Sequence, residues 1–250
     1  MSKSHQQGGP GSDSQGTDRT TNLNLSEQAY QQIRSAILYY QLPPGSRISE
    51  AALTQRFNLR QAAVRSALMR LMQEGLVYKS DERSPRVAPL TLKDVHDIYG
   101  LRLLLEPRAA QLTAGLGLGA ADIERLRHIS RSRYELASHV ELVEFLQANR
   151  QFNLIIAMAA GNARLAATIT HLQDLTLRVL YVGIRSLNVS EWFQATHMQI
   201  VDAIVGGDGV SAAELWTTDL QYGDRLISDA LMSLPELSQV NLAGASLSSS

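Results

Sequence analysis

The stretch from Phe57 to Val87, FNLRQAAVRSALMRLMQEGLVYKSDERSPRV, leaves a chain few ways to fold. Val64, Ala67, Leu68, Leu71 and Met72 recur at helical spacing, which requires one buried face. The opposite face carries Arg60, Gln61, Arg65, Ser66 and Arg70. Gly75 is a helix stop, and β-prone residues 76–79 and 86–88 flank a charged turn from Ser80 to Pro85. A basic-faced helix followed at once by a small ribbon predicts a winged helix-turn-helix. Its helix would lie in the major groove of DNA, where Arg and Gln read base edges, and its ribbon would approach the backbone or minor groove.

The residues before it complete such a module. Ala29, Ile33, Ala36, Ile37 and Tyr40 mark a first helix, which Ser26 is placed to cap. Pro43-Pro44-Gly45 breaks that helix. Ser49 then caps a short second helix with Ala52, Leu53 and Phe57 inward, and Asn58-Leu59 turns the chain into the third. Asn58 is the expected N-cap of that third helix, with Gln61 completing a capping box.

The charge is distributed to match. Residues 26–89 hold nine Lys/Arg against five Asp/Glu, whereas 91–250 hold twelve against seventeen, so the basic excess sits beside the reading helix. The chain has no cysteine, which removes disulfides and thiolate ligands. No run of about 18 apolar residues suggests a membrane span, and no signal-peptide core is visible. The expectation is a soluble cytoplasmic protein with no membrane partner.

Residues 1–22, poor in large apolar side chains, read as a disordered tail. Residues 23–90 form the DNA-reading domain, 91–232 a second domain, and 233–250 a flexible tail. The second domain shows helical periods over 92–114, 121–137, 140–160, 163–187, 190–206 and 210–232, with no strand alternation. The fold class is therefore mainly α, a winged helix-turn-helix followed by an all-α antiparallel bundle.

Several polar residues interrupt the inward stripes of that bundle. Arg102 lies between Ile98 and Leu105, Asn149 and Asn153 between Leu146 and Ile156, His197 between Phe193 and Ile200, and Asp219 between Leu215 and Tyr222. Each alone reads as a hydrogen-bonded core residue. Five polar groups turned to one interior are costly unless they satisfy one another or meet a ligand, and together they suggest a pocket.

Residues 33–77, IRSAILYYQLPPGSRISEAALTQRFNLRQAAVRSALMRLMQEGLV, closely resemble the N-terminal domain of GntR-family bacterial transcription regulators. TLKDVHDIYGLRLLLEPRAAQLTA resembles the first helix of the all-helical FCD effector domain of their FadR subfamily. With ANRQFNLIIAMAAGN and HMQIVDAIVGGDGVSAAELWTTDL, the resemblance extends from 26 to about 232. It implies a homodimeric repressor on a pseudo-palindromic operator of double-stranded DNA, with a small organic acid as effector.

The departures from the family pattern are specific. Where the family reads Val-Ser-Arg-Thr-Pro-Val-Arg-Glu-Ala-Leu, residues 59–68 read LRQAAVRSAL, so Arg65 is kept while Gln61 and Arg60 replace the first arginine and the serine. Gln prefers adenine where Arg prefers guanine, so a changed operator is expected. Arg60, Gln61 and Arg65 are the candidate base readers, and Arg47, Ser49, Lys79, Arg83 and Arg86 the candidate phosphate contacts. A solvated helix face is the ordinary alternative for each. In the bundle, the resemblance sets Asn149 at the Asp ligand of the family's metal site and Asn153 at its first His, keeps His197, and puts Asp219 at the last His. Amide oxygens are weak ligands for a transition metal. No cofactor is therefore expected, a hard cation held by oxygens being the alternative, and Arg102 is the expected carboxylate anchor for an effector. No phosphate loop, dinucleotide fingerprint or triad order is visible, so an enzyme is not expected. The competing reading is a ligand-binding protein of the same fold that no longer reads DNA.

Overall fold

The structure, a computed structural model, describes residues 14–79, 84–185 and 187–233, with side chains described from Asn24. The chain divides into two compact units between Ala88 and Pro89.

The first unit contains α1 (Ser14–Leu38), α2 (Glu50–Phe57), α3 (Gln61–Gln73) and an antiparallel ribbon of β1 (Val77–Lys79) and β2 (Pro85–Val87). Helix α1 packs on α3, and α2 packs on α3. The core joins Ile33, Ile37, Leu53, Val64, Leu68, Leu71 and Val87, all nearly inaccessible. Burying each aliphatic side chain contributes roughly 1.5–3 kcal/mol. Arg70, on the exposed side of α3, ties that helix to α1. Its guanidinium lies 3.5 Å from the Tyr30 ring centroid and bonds Glu27 and Glu74.

Local chemistry corrects three expectations here. Residues 14–22, expected in a disordered tail, are helical, so Ser26 lies inside α1 and is not its N-cap. Residues 1–13, and 234–250 of the expected C-terminal tail, lie outside the described residues. Asn58 adopts φ 51° and ψ 48°, the left-handed cap that ends α2, and Arg60 is the N-cap of α3 without a side-chain bond. The Asn58–Gln61 capping box is therefore absent. Ser49 does cap α2, its Oγ accepting from Ala52 N at 3.3 Å, but Ala52 is exposed and Leu53 is the residue buried there.

The Pro43–Ser46 segment is a type II turn in all but name. Pro44 holds the second position, Gly45 supplies φ +75° at the third, and Ser46 N donates to Pro43 O at 3.1 Å. The chain leaving it pairs with β2. Gly45 N donates to Val87 O, Val87 N to Ser46 O, and Ile48 N to Pro85 O, so Arg47 stands opposite Arg86. This third edge of the wing has too few residues to show alternation in sequence.

The described part of the second unit is helical: α4 (Leu92–Leu116), α5 (Ala120–Ile129), α6 (His139–Ala159), α7 (Ala163–Ile184), α8 (Ser190–Val205) and α9 (Gly209–Met232). A capping box of Thr91 and Asp94 starts α4. Ser138, Asn162 and Asp208 cap α6, α7 and α9 through side-chain oxygens. Helix α4 lies centrally, touching α6, α7, α8 and α9. Helix α5 ends at Ile129, short of the expected 137. The Tyr134 hydroxyl holds the segment that follows, donating to Leu187 O at 2.7 Å and accepting from Val189 N at 3.1 Å. Two glycines let the helices close in. A Cβ on Gly223 would stand 2.8 Å from the Tyr99 hydroxyl, and one on Gly183 2.6 Å from Ile227.

Candidate functional site

In the first unit, the buried stripe of α3 is Ala63, Val64, Ala67, Leu68 and Leu71. That burial turns Arg60, Gln61 and Arg65 outward, all exposed at or near the N-terminal end of the helix. Arg65 Nε donates to Glu50 Oε2 at 2.8 Å, the arginine exposed and the glutamate half-buried at the surface. A pair of this kind is worth about 0–1 kcal/mol and yields readily to a phosphate or a base. Arg47 and Lys79 are exposed beside the wing. Arg86 is half-buried, with Nη1 donating to Gly45 O at 3.1 Å. Ser49 spends its hydroxyl oxygen on the α2 cap. Arg83 lies outside the described residues.

In the bundle, Arg102 (4 %), Asn149 (5 %), Asn153 (4 %) and His197 (4 %) are all buried, as their stripes require. Most of their polarity is met from within. Arg102 donates Nε and Nη2 to the two oxygens of Glu106 at 2.9 and 3.1 Å. Glu106 also accepts from Gln173 Nε2 at 2.7 Å and Trp216 Nε1 at 3.0 Å. Asn153 Nδ2 donates to Gln173 Oε1 at 3.0 Å. One carboxylate thus gathers donors from α4, α7 and α9, and α6 joins through Gln173. Burial works against the Arg102 charge, but Glu106, with Tyr99 and Asp219, more than offsets it and pushes its pKa up.

The remaining polar groups surround two small cavities. Tyr99, Arg102, Asn149, Phe193, Asp219 and Tyr222 are among the residues lining one. Ser130, Ser132, Phe145, Asn149, Phe193 and His197 are among those lining the other. Each encloses about 10 Å³, close to the room one water needs. The expected metabolite-sized pocket is therefore not open in this form, because the internal ion pair and the aromatic rings fill it. Asn149 and Phe193 form the wall common to both cavities. His197 stacks on Phe152 with centroids 3.9 Å apart and 6° between planes, and meets Phe193 edge-on. Burial pushes its pKa down to about 3, so the ring is neutral. Burial pushes Asp219 up to about 6, against the opposing pull of Arg102 and the Trp192 hydrogen bond. Trp192 Nε1 donates to Asp219 Oδ1 at 3.2 Å and the indole stacks on Tyr222 at 4.1 Å.

Of the five bundle residues singled out in the sequence, four line these cavities, and Asn153 is drawn into the Glu106 network instead. Arg102 is not a free carboxylate anchor, since Glu106 already engages two of its nitrogens. The set does not suit a transition metal. Asn153 is committed to Gln173, His197 is packed between rings, and no group of three or more His, Asp or Glu among the described residues is placed to hold an ion. Gln173, Trp192, Trp216 and Tyr222 join the site with no spacing signal in the sequence, and Glu106 joins them. For Glu106 the signal was present, an Arg–Glu pair four apart on an inward helix face.

A reading helix with a wing, joined to a six-helix bundle holding a polar centre, has a precedent. The N-terminal unit matches the family described as bacterial regulatory proteins, gntR family, over residues 25–87, and the C-terminal unit matches the FCD domain over residues 97–222. The chain belongs to the GntR family of bacterial regulatory proteins. The HTH-type transcriptional repressor RspR of Escherichia coli K12 is 22% identical over 197 residues, spanning 79% of this chain and 86% of RspR. The HTH-type transcriptional regulator YdhC of Bacillus subtilis 168 is 28% identical over 152 residues, 59% of this chain and 66% of YdhC. The crystal structure of a GntR transcriptional regulator from Rhodococcus sp. RHA1 shares the fold, with TM-score 0.69, 19% identity and coverage of 82% of this chain and 98% of that one. This GntR regulator is a DNA-binding transcription factor with an FCD effector domain, not an enzyme. None of its described helices is long and apolar enough to cross a membrane.

Proposed function

We propose that this GntR regulator is a cytoplasmic repressor that binds a pseudo-palindromic operator as a homodimer and responds to a small metabolite in the FCD bundle. By the resemblance that metabolite is an organic acid. The observation that carries the reading is the outward face of α3, where Arg60, Gln61 and Arg65 are exposed while the other face is buried. Two such helices in successive major grooves require an operator of two-fold symmetry. Arg47 and Lys79, exposed beside them, would add phosphate contacts that give affinity without sequence choice. Repression is argued from the relatives, RspR being a repressor by name. The effector acts only if it binds one arrangement of the dimer better than another.

One observation favours the competing reading of a ligand-binding protein without DNA specificity, namely that Arg65 is paired with Glu50. The weakness of an exposed pair argues against it. Fluorescence anisotropy with labelled DNA from upstream of the regulator's own gene separates the two. Repression predicts saturable binding to a short imperfect palindrome with strong salt dependence. Equal binding to scrambled DNA overturns it.

A further inference from the structure

The charges around the first cavity do not suit an effector that is only an acid. Arg102 lines it, but two of its nitrogens rest on Glu106, so a carboxylate of its own helix balances its charge before any ligand arrives. Glu106 in turn is engaged by three side chains, Arg102, Gln173 and Trp216. Asp219 lines the same cavity from α9, and among the described residues its side chain accepts one hydrogen bond, from Trp192. An ionised carboxylate has about four acceptor positions, so the half-buried Asp219 keeps acceptor capacity for a ligand where Glu106 has three donors already. Arg102, Glu106 and Asp219 together sum to one negative charge, and the neighbouring His197 is neutral.

The rest of the wall favours the opposite sign. Tyr99 already holds the Arg102 guanidinium 4.8 Å from its ring centroid, so this wall accommodates a cation, and Phe193 and Tyr222 line it with further aromatic rings while Asn149 adds an amide that can accept as well as donate. The cavity has the volume of one water, which is also that of an ammonium head. A longer ligand would displace the Phe193 ring, the wall shared with the second cavity.

We infer that the effector carries a protonated amine, seated against Asp219, Asn149 and the ring of Tyr222. This rests on the bundle cavity being the effector site, and it narrows the organic acids to those that also bear an amine. A carboxylate on the same molecule would lie toward Arg102, whereas a simple hydroxy acid could give Asp219 one O–H donor but no positive charge, and would add a second negative charge beside it.

The test uses the full-length regulator and a matched panel of L-amino acids, the 2-hydroxy acids and unsubstituted acids of the same skeletons, and the corresponding amines without a carboxylate. Melting temperature and tryptophan fluorescence are the readouts, with both tryptophans in the bundle. An amine-bearing compound should bind at least about tenfold more tightly than its hydroxy partner, the difference between an ionic and a neutral hydrogen bond to a carboxylate. The amine without a carboxylate tells whether the acid group contributes at all, and its binding also supports the assignment. Asp219→Asn, which keeps an acceptor for Trp192, should bring the amine and hydroxy partners to similar affinity. Should that variant fail to melt cooperatively, the wild-type ratio decides alone. A hydroxy or unsubstituted acid that equals or beats its amine partner overturns the assignment while leaving the effector site standing. If no compound of any class moves either readout, the effector-site reading falls and the amine with it.

Discussion

Two groups that line the cavities, His197 and Asp219, pull stability in opposite directions as pH falls, and removing either exposes the other. His197 is held neutral, with its pKa near 3 against an ordinary 6.5. As pH falls below 6.5 the unfolded chain takes up a proton that the folded chain refuses. Stability is then lost at about 1.4 kcal/mol per pH unit, or about 2 kcal/mol by pH 5. Asp219 is the reverse case, at about 6 folded against an ordinary 3.8. Below pH 6 the folded chain takes up its proton first, so acidification stabilises the fold until about pH 4. By pH 5 this gives about 1 kcal/mol after a discount for partial exposure. The wild-type protein therefore shows only the difference, a loss of about 1 kcal/mol by pH 5. Relative to wild type between about pH 7.5 and 5, His197→Gln should gain about 2 kcal/mol and Asp219→Asn should lose about 1 kcal/mol. Urea denaturation followed by tryptophan fluorescence reads this directly, because Trp192 and Trp216 both lie in the bundle. Variants whose stability runs parallel to wild type within about 0.5 kcal/mol across that range would refute the burial argument for both groups.

Three further outcomes are expected. Glu106→Gln leaves the buried Arg102 without its counter-charge and should destabilise the bundle by about 3–5 kcal/mol, measured by denaturation; a cost below about 1 kcal/mol would show that the pair is dispensable. Arg65→Ala should weaken operator binding about tenfold or more by anisotropy while shifting stability by less than about 1 kcal/mol, since its pair with Glu50 lies at the surface with the arginine exposed. Gly183→Ala forces a methyl to within 2.6 Å of Ile227 and should lower stability by about 1–3 kcal/mol in the same denaturation assay, unchanged stability showing that α7 and α9 can part without cost.

The features legible in the sequence were those that a local period dictates. The buried stripe of α3, its stop at Gly75 and the ribbon after it follow from residue spacing, and so do the polar residues on the bundle's inward faces. What could not be read depended on choices that one residue type leaves open, or on contacts distant in sequence. Asparagine favours both an N-cap and a left-handed C-cap, and at Asn58 only the backbone decides which. Residues 14–22 lack the apolar content to nucleate a helix, yet extending one already held by Ala29 and Ile33 costs far less than starting it. The site shows the same division. That Arg102 turns inward was legible, but Gln173 and Trp216 reach Glu106 from 67 and 110 residues away. No spacing rule connects them.

The carboxylate of Glu106 also constrains how this regulator can evolve. Because its hydrogen-bonding neighbours stand on separate helices, exchanging any one of them strands the others in a dry interior. Were the cavity the effector site, selection for a new effector would leave Arg102, Glu106, Gln173 and Trp216 inherited as a block and work instead on Asn149, Phe193, Asp219 and Tyr222, which lie outside that network.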